Sequence, residues 1–89
     1  MANSKIITYD LRAPGRTYDN VYNYLRSYVV WGKLTESTWF VSSPKSCVQI
    51  RDELSRLVDL NDRIFVAELT SVAAWTNVQA DATYLKTHL

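Results

Sequence analysis

One cysteine, one histidine, two glycines and two prolines are all that this 89-residue chain holds of those types. Each scarcity excludes something. A lone Cys47 forms no intrachain disulfide, which excludes a small disulfide-stapled scaffold. A lone His88, next to the last residue, leaves too few ligands for a zinc centre and puts any histidine base in a terminal segment. Two glycines make neither a flexible linker nor a glycine-rich phosphate loop. Charge of one sign is also lacking: ten Lys or Arg against nine Asp or Glu give a formal charge of +1. A strongly basic domain, the usual electrostatic footprint of a nucleic-acid binder, is therefore absent. No apolar run approaches the ~18 residues of a membrane span, and the opening MANSKIITYDLR has no signal-peptide core. A cytoplasmic protein without membrane contact is expected.

The chain is 47% hydrophobic and 21% charged, as in an ordinary globular domain. Size scaling gives one domain over residues 1–89 that buries roughly 64% of its unfolded surface. Such a core stands alone only marginally, so burial against a second copy would help.

Ser4 to Leu11 mixes β-branched and aromatic residues and stops at Ala13-Pro14-Gly15, which reads as a strand with both faces loaded. After a capping Thr17, Tyr18, Val21, Tyr22, Leu25, Tyr28 and Val29 recur at helical spacing, and Gly32 is the expected stop. Lys33 to Ser43 alternates. Eleven extended residues exceed a usual strand of ~5–6, so it reads as one long strand or two with a bend near Phe40. Ser43-Pro44 reads as a helix start, with Cys47, Ile50, Leu54, Leu57 and Val58 marking the apolar face to about Asp59. Asn61-Asp62 is a turn and Arg63 to Leu69 a strand. Ser71 to Trp75 reads as a short strand and Asp81 to Leu89 as a terminal helix.

The order β-α-β(β)-α-β points to an α+β fold, the ferredoxin-like βαββαβ sandwich. Its core spans about 4–69, with a C-terminal extension over 70–89. Both helices should cover one face of an antiparallel sheet. The other face would stay open, with Tyr9, Trp39 and Phe65 as candidates to lie on it.

Asp10 is the residue that fits its surroundings least, a carboxylate in an apolar strand. It reads either as a cap for the following turn or as a metal ligand. One carboxylate makes a weak Mg²⁺ site, whereas a two-fold dimer could bring two Asp10 side chains together. Arg12 and Arg16 flank Pro14-Gly15 and suit phosphate. Trp39 and Tyr9 are candidates for stacking on a base. Glu36, Asp62 and Glu68 are candidate second carboxylates.

The strand ending Tyr9-Asp10-Leu11, the basic loop, Ser37-Thr38-Trp39 before a helix and the closing Arg63-Ile64-Phe65-Val66 together resemble a known group. It is the small CRISPR-associated ferredoxin-like proteins of spacer acquisition, with their VapD-like toxin ribonuclease relatives. The resemblance covers about residues 4–69. It implies a homodimer in which the tail extends the partner's sheet, with Asp10 holding Mg²⁺ for phosphodiester cleavage, or a non-catalytic nucleic-acid scaffold. A binder of a small nucleotide, cyclic ones included, at the dimer interface and a protein–protein interaction module are the competing expectations.

Overall fold

A computed structural model describes residues 3–11, 18–70 and 73–88. Its elements are β1 (Asn3–Asp10), α1 (Asp19–Arg26), β2 (Val30–Thr35), β3 (Thr38–Ser43), α2 (Cys47–Ser55), β4 (Arg63–Glu68) and α3 (Ala82–His88). The strands form one antiparallel sheet in the order β2-β3-β1-β4. β1 is central, as its two-sided apolar content requires, and β4 lies at an edge.

Register assigns the faces, because directly paired residues of antiparallel strands point the same way. Ile7 pairs with Trp39 on one side and Val66 on the other, and Tyr9 pairs with Ile64. Ile7, Tyr9, Trp39 and Val41 pack against Val21 and Leu25 of α1 and Ile50 and Leu54 of α2. Both helices therefore cover the same face, where the main core sits. Lys5 also points to this side and is 3% exposed, its Nζ donating to the Ser43 carbonyl at 2.7 Å.

The opposite face does not stay open. Leu69 N donates to the Ser4 carbonyl at 2.8 Å, Gln79 N to the Leu34 carbonyl at 3.0 Å, and the Ser4 hydroxyl to the His88 carbonyl. These ties lay the C-terminal segment on its own sheet. Leu85 of α3 is fully buried there, and Tyr84 meets Phe40 with ring centroids 6.0 Å apart. The cause is in the β3 sequence: Phe40 alternates out of the helix-side core and needs cover of its own. One corner of this second face escapes the tail, at the end of β1 and the start of β4.

Several boundaries differ from expectation. α1 ends at Arg26, not at Gly32, and Ser27 closes it with its hydroxyl donating to the Tyr24 carbonyl at 2.5 Å. Val29-Val30-Trp31 belongs to the β-branched and aromatic class that favours strands, and Gly32 lies inside β2. A Cβ on Gly32 would stand 2.2 Å from Phe40 Cε1, so glycine is there for close approach rather than helix termination. The long alternating segment folds into two strands, bent at Glu36-Ser37 rather than near Phe40. The N-cap of α2 is Ser46, not Ser43: Gln49 N donates to Ser46 Oγ at 3.1 Å and Ser46 N to Gln49 Oε1 at 2.9 Å, a reciprocal capping box. Thr17, the expected cap of α1, lies outside the described residues. So do Ser71 and Val72 of the expected fifth strand; Ala73–Trp75 belong to no strand.

Candidate functional site

The uncovered corner brings together Thr8, Asp10, Arg63 and Phe65. In the register Thr8 pairs with Phe65 and Asp10 with Arg63, so all four belong to the second face. Thr8 is half buried, and its hydroxyl accepts from Thr38 Oγ1 at 3.2 Å. Arg63 Nη1 donates to Asp10 Oδ2 at 3.4 Å, with the side chains 71% and 53% exposed respectively. A pair so exposed contributes about 1 kcal/mol or less, so it orients the guanidinium more than it stabilises the fold. Phe65 is 61% exposed. With Tyr9 and Ile64 these residues line a shallow depression of about 180 Å³.

An aromatic ring, a guanidinium and a hydroxyl on a pleated surface can hold a planar base and a phosphate at once. The ring offers a stacking face and the guanidinium a planar fork for two phosphate oxygens. Asp10 is exposed at the lip of the sheet, which removes the burial cost that made it look out of place in the sequence.

Arg12 and Arg16 lie outside the described residues. Tyr9 and Trp39 are core residues, 9% and 3% exposed, on the face opposite to Phe65. Trp39 Nε1 donates to Tyr9 Oη at 3.0 Å, and Tyr9 Oη donates to the Glu36 carbonyl at 3.2 Å. Burial holds the Tyr9 phenol above its ordinary pKa. Their rings pack between sheet and helices, so neither offers a base the open face that stacking needs. Of the three aromatic strand residues considered for an open face, Phe65 alone presents one. The signal for it was present in the sequence, but choosing among the three needs strand register.

The candidate second carboxylates are engaged elsewhere. Glu36 sits in the β2–β3 turn, where the Gln79 side-chain amide donates to it at 3.0 Å and Lys33 stands at 3.6 Å. The hydrogen bond from Gln79, then the Lys33 charge, hold its carboxyl below the usual range. Asp62 accepts from Tyr18 Oη at 3.0 Å and from Asp59 N at 2.9 Å, fixing the turn into β4. Glu68 lies 3.9 Å from Lys5 Nζ. Among the described residues no three of His, Cys, Asp and Glu come together as a metal site. Asp10 already faces a cation, so the donor set of the described residues does not fit the Mg²⁺ that the resemblance implies.

A denser ionisable cluster joins α1 to α2 on the other face. Tyr24 Oη donates to Glu53 Oε1 at 2.5 Å, Tyr28 Oη lies 2.6 Å from Tyr24 Oη, and Lys45 Nζ donates to Glu53 Oε1 at 2.7 Å. Lys45 Nζ also stands 5.8 and 5.5 Å from the two ring centroids. Burial raises both phenols, with the Glu53 hydrogen bond adding to the effect at Tyr24. The Lys45 hydrogen bond lowers Glu53, and the same bond raises Lys45. Every partner is satisfied within the chain, as befits a clasp between helices.

No family model, curated protein or solved structure matches this chain. Among the described residues no helix is long and apolar enough to cross a membrane.

Proposed function

We propose that this chain is a ferredoxin-like α+β protein that binds single-stranded nucleic acid as a homodimer, with Phe65 stacking on a base and Arg63 holding a phosphate. The exposure of Phe65 beside the Asp10–Arg63 pair carries this reading: a large aromatic stands open next to an oriented guanidinium. The ferredoxin-like assignment is supported by the strand order, in which β3 lies between β1 and β2 and β1 between β3 and β4, with α1 and α2 on one face.

The β4 edge supports the homodimer. Among the described residues β4 pairs on one side only, with β1, whereas the tail ties onto β2 at the opposite edge. Val48 and Leu60 are exposed apolar residues outside the core, like Phe65. An unprotected edge strand pairs readily with another strand. In a two-fold antiparallel β4 pair, opposed residues must share a face. Centring on Phe65 sets the two Phe65 rings side by side and an Arg63 beyond each. The result is one continuous Arg-Phe-Phe-Arg platform.

That assembly bears on catalysis. With strands ~4.8 Å apart and ~3.4 Å per residue, it separates the two Asp10 carboxylates by roughly 20 Å. They then share no metal, and the reading is a nucleic-acid scaffold rather than a Mg²⁺-dependent nuclease. Asp10 serves to orient Arg63. Near-neutral charge agrees with a short footprint of a few phosphates.

The experiment is fluorescence anisotropy of labelled oligo(dT) and oligo(U) with wild type, Phe65→Ala and Arg63→Gln, with and without EDTA. The expected result is binding indifferent to EDTA and weakened at least tenfold by either substitution. Base–aromatic stacking is worth about 1–3 kcal/mol per base, of which the upper part corresponds to that loss. Equal binding by all three proteins contradicts the reading. Cleavage that EDTA and Asp10→Ala both abolish restores the metal-dependent alternative.

A further inference from the structure

A partly open apolar pocket of about 280 Å³ lies between the second face of the sheet and the C-terminal segment that crosses it. Ile6 and Leu34 line it from the sheet, Trp75 and Val78 from the tail, and Leu85 from α3. Thr35 and Thr38 supply the hydroxyls, and among the described residues no charged side chain lines it. The Thr38 hydroxyl is already committed as donor to Thr8. The tail is fastened on either side of this stretch, by Leu69 N to the Ser4 carbonyl and by Gln79 N to the Leu34 carbonyl. Between those anchors Ala73, Ala74, Trp75 and Val78 roof the pocket.

We infer that this cavity is a binding site for a small neutral aromatic molecule. Three observations carry the inference. An apolar lining with few polar partners holds water weakly, and an apolar cavity of ~150 Å³ already accepts benzene, so a pocket nearly twice as large suits a bicyclic ring whose edge stays at the open mouth. The lining carries no charge among the described residues, which selects against ionised ligands through the cost of burying an unpaired charge. An unfilled space also deprives every side chain around it of contacts that a ligand restores. The site is separate from the Arg63–Phe65 corner, and the two stand or fall independently.

Methyl and amide NMR of the full chain titrated with indole tests the site. Saturable shifts are expected at Ile6, Leu34, Val78 and Leu85, with a higher melting temperature. Indole-3-acetate, similar in shape but ionised, should bind at least tenfold more weakly. Val78→Trp fills the space from the roof and should lower indole affinity at least tenfold. Should that variant fail to fold, Ala74→Phe serves the same purpose. Absence of saturable shifts up to the solubility of indole overturns the inference. So do shifts confined to other parts of the chain, equal affinity for indole-3-acetate, and undiminished binding by a folded, cavity-filled variant.

Discussion

Gly32 and Phe40 share one space in the layer between the sheet and α3, and a single methyl group decides whether both fit. The Cβ that Gly32→Ala adds would meet the Phe40 ring at 2.2 Å, and Tyr84 packs on that same ring. Overpacking of this kind costs about 1–3 kcal/mol. Urea unfolding of Gly32→Ala should show that loss, and a variant as stable as wild type would mean that Phe40 has room to move. The Tyr24–Tyr28–Glu53–Lys45 clasp sets a pH window in the same way. Glu53 is held below its ordinary value of 4.5, so its contribution is complete above that pH and is lost as pH falls through the lowered folded value. Lys45 is held above 10.5 and the phenols above 10.0, so their contributions are complete below those values and lost as pH rises. Melting temperature against pH should therefore be flat from about 5 to 10 and fall on both sides. In Glu53→Gln the acid-side fall should diminish; an unchanged acid limb would assign that fall to other carboxylates.

Among the elements, the sheet strands and both long helices were legible as types, since two-residue and 3.6-residue periodicities differ plainly. Their ends were less so. Val29-Val30-Trp31 continues the apolar stripe of α1 but prefers extended backbone, and pairing with β3 decides in favour of β2. Ser43-Pro44 and Ser46-x-x-Gln49 both look like helix starts; Ser43 Oγ accepts from Lys45 N at 3.1 Å, but only the second closes the reciprocal capping box that opens α2. The tail was the least legible element, because its cover of Phe40 is a long-range contact with no local pattern. Leu85→Ala tests that cover. Removing a fully buried leucine typically costs 2–5 kcal/mol, so a large fall in urea midpoint is expected, whereas an unaffected midpoint would mean that α3 is not docked. Asp10 at the site stood out as a carboxylate among apolar residues. Phe65 did not stand apart from Tyr9 and Trp39, because the face of each depends on which residue it pairs with across the sheet.

At the scale of the whole molecule, a charge of +1 limits the proposed nucleic-acid contact to a few phosphates. In the proposed dimer two copies joined at β4 would offer two Arg63 side chains, so contact with about two phosphates would give a salt slope near −1.4 in log K against log salt for a single strand. A steeper slope, such as that of a protein neutralising six or more phosphates, would call for a basic surface beyond this platform. Light scattering at tens of micromolar should return the mass of a dimer, and charged substitution at the β4 edge, Phe65→Lys, should return a monomer. The most direct measurement for the central claim is an amide NMR titration of the wild-type protein with an unlabelled six-nucleotide single strand. Shifts clustered at Thr8, Asp10, Arg63 and Phe65 are the expected result. Shifts that spare this corner, or no shifts at millimolar oligonucleotide, would contradict it.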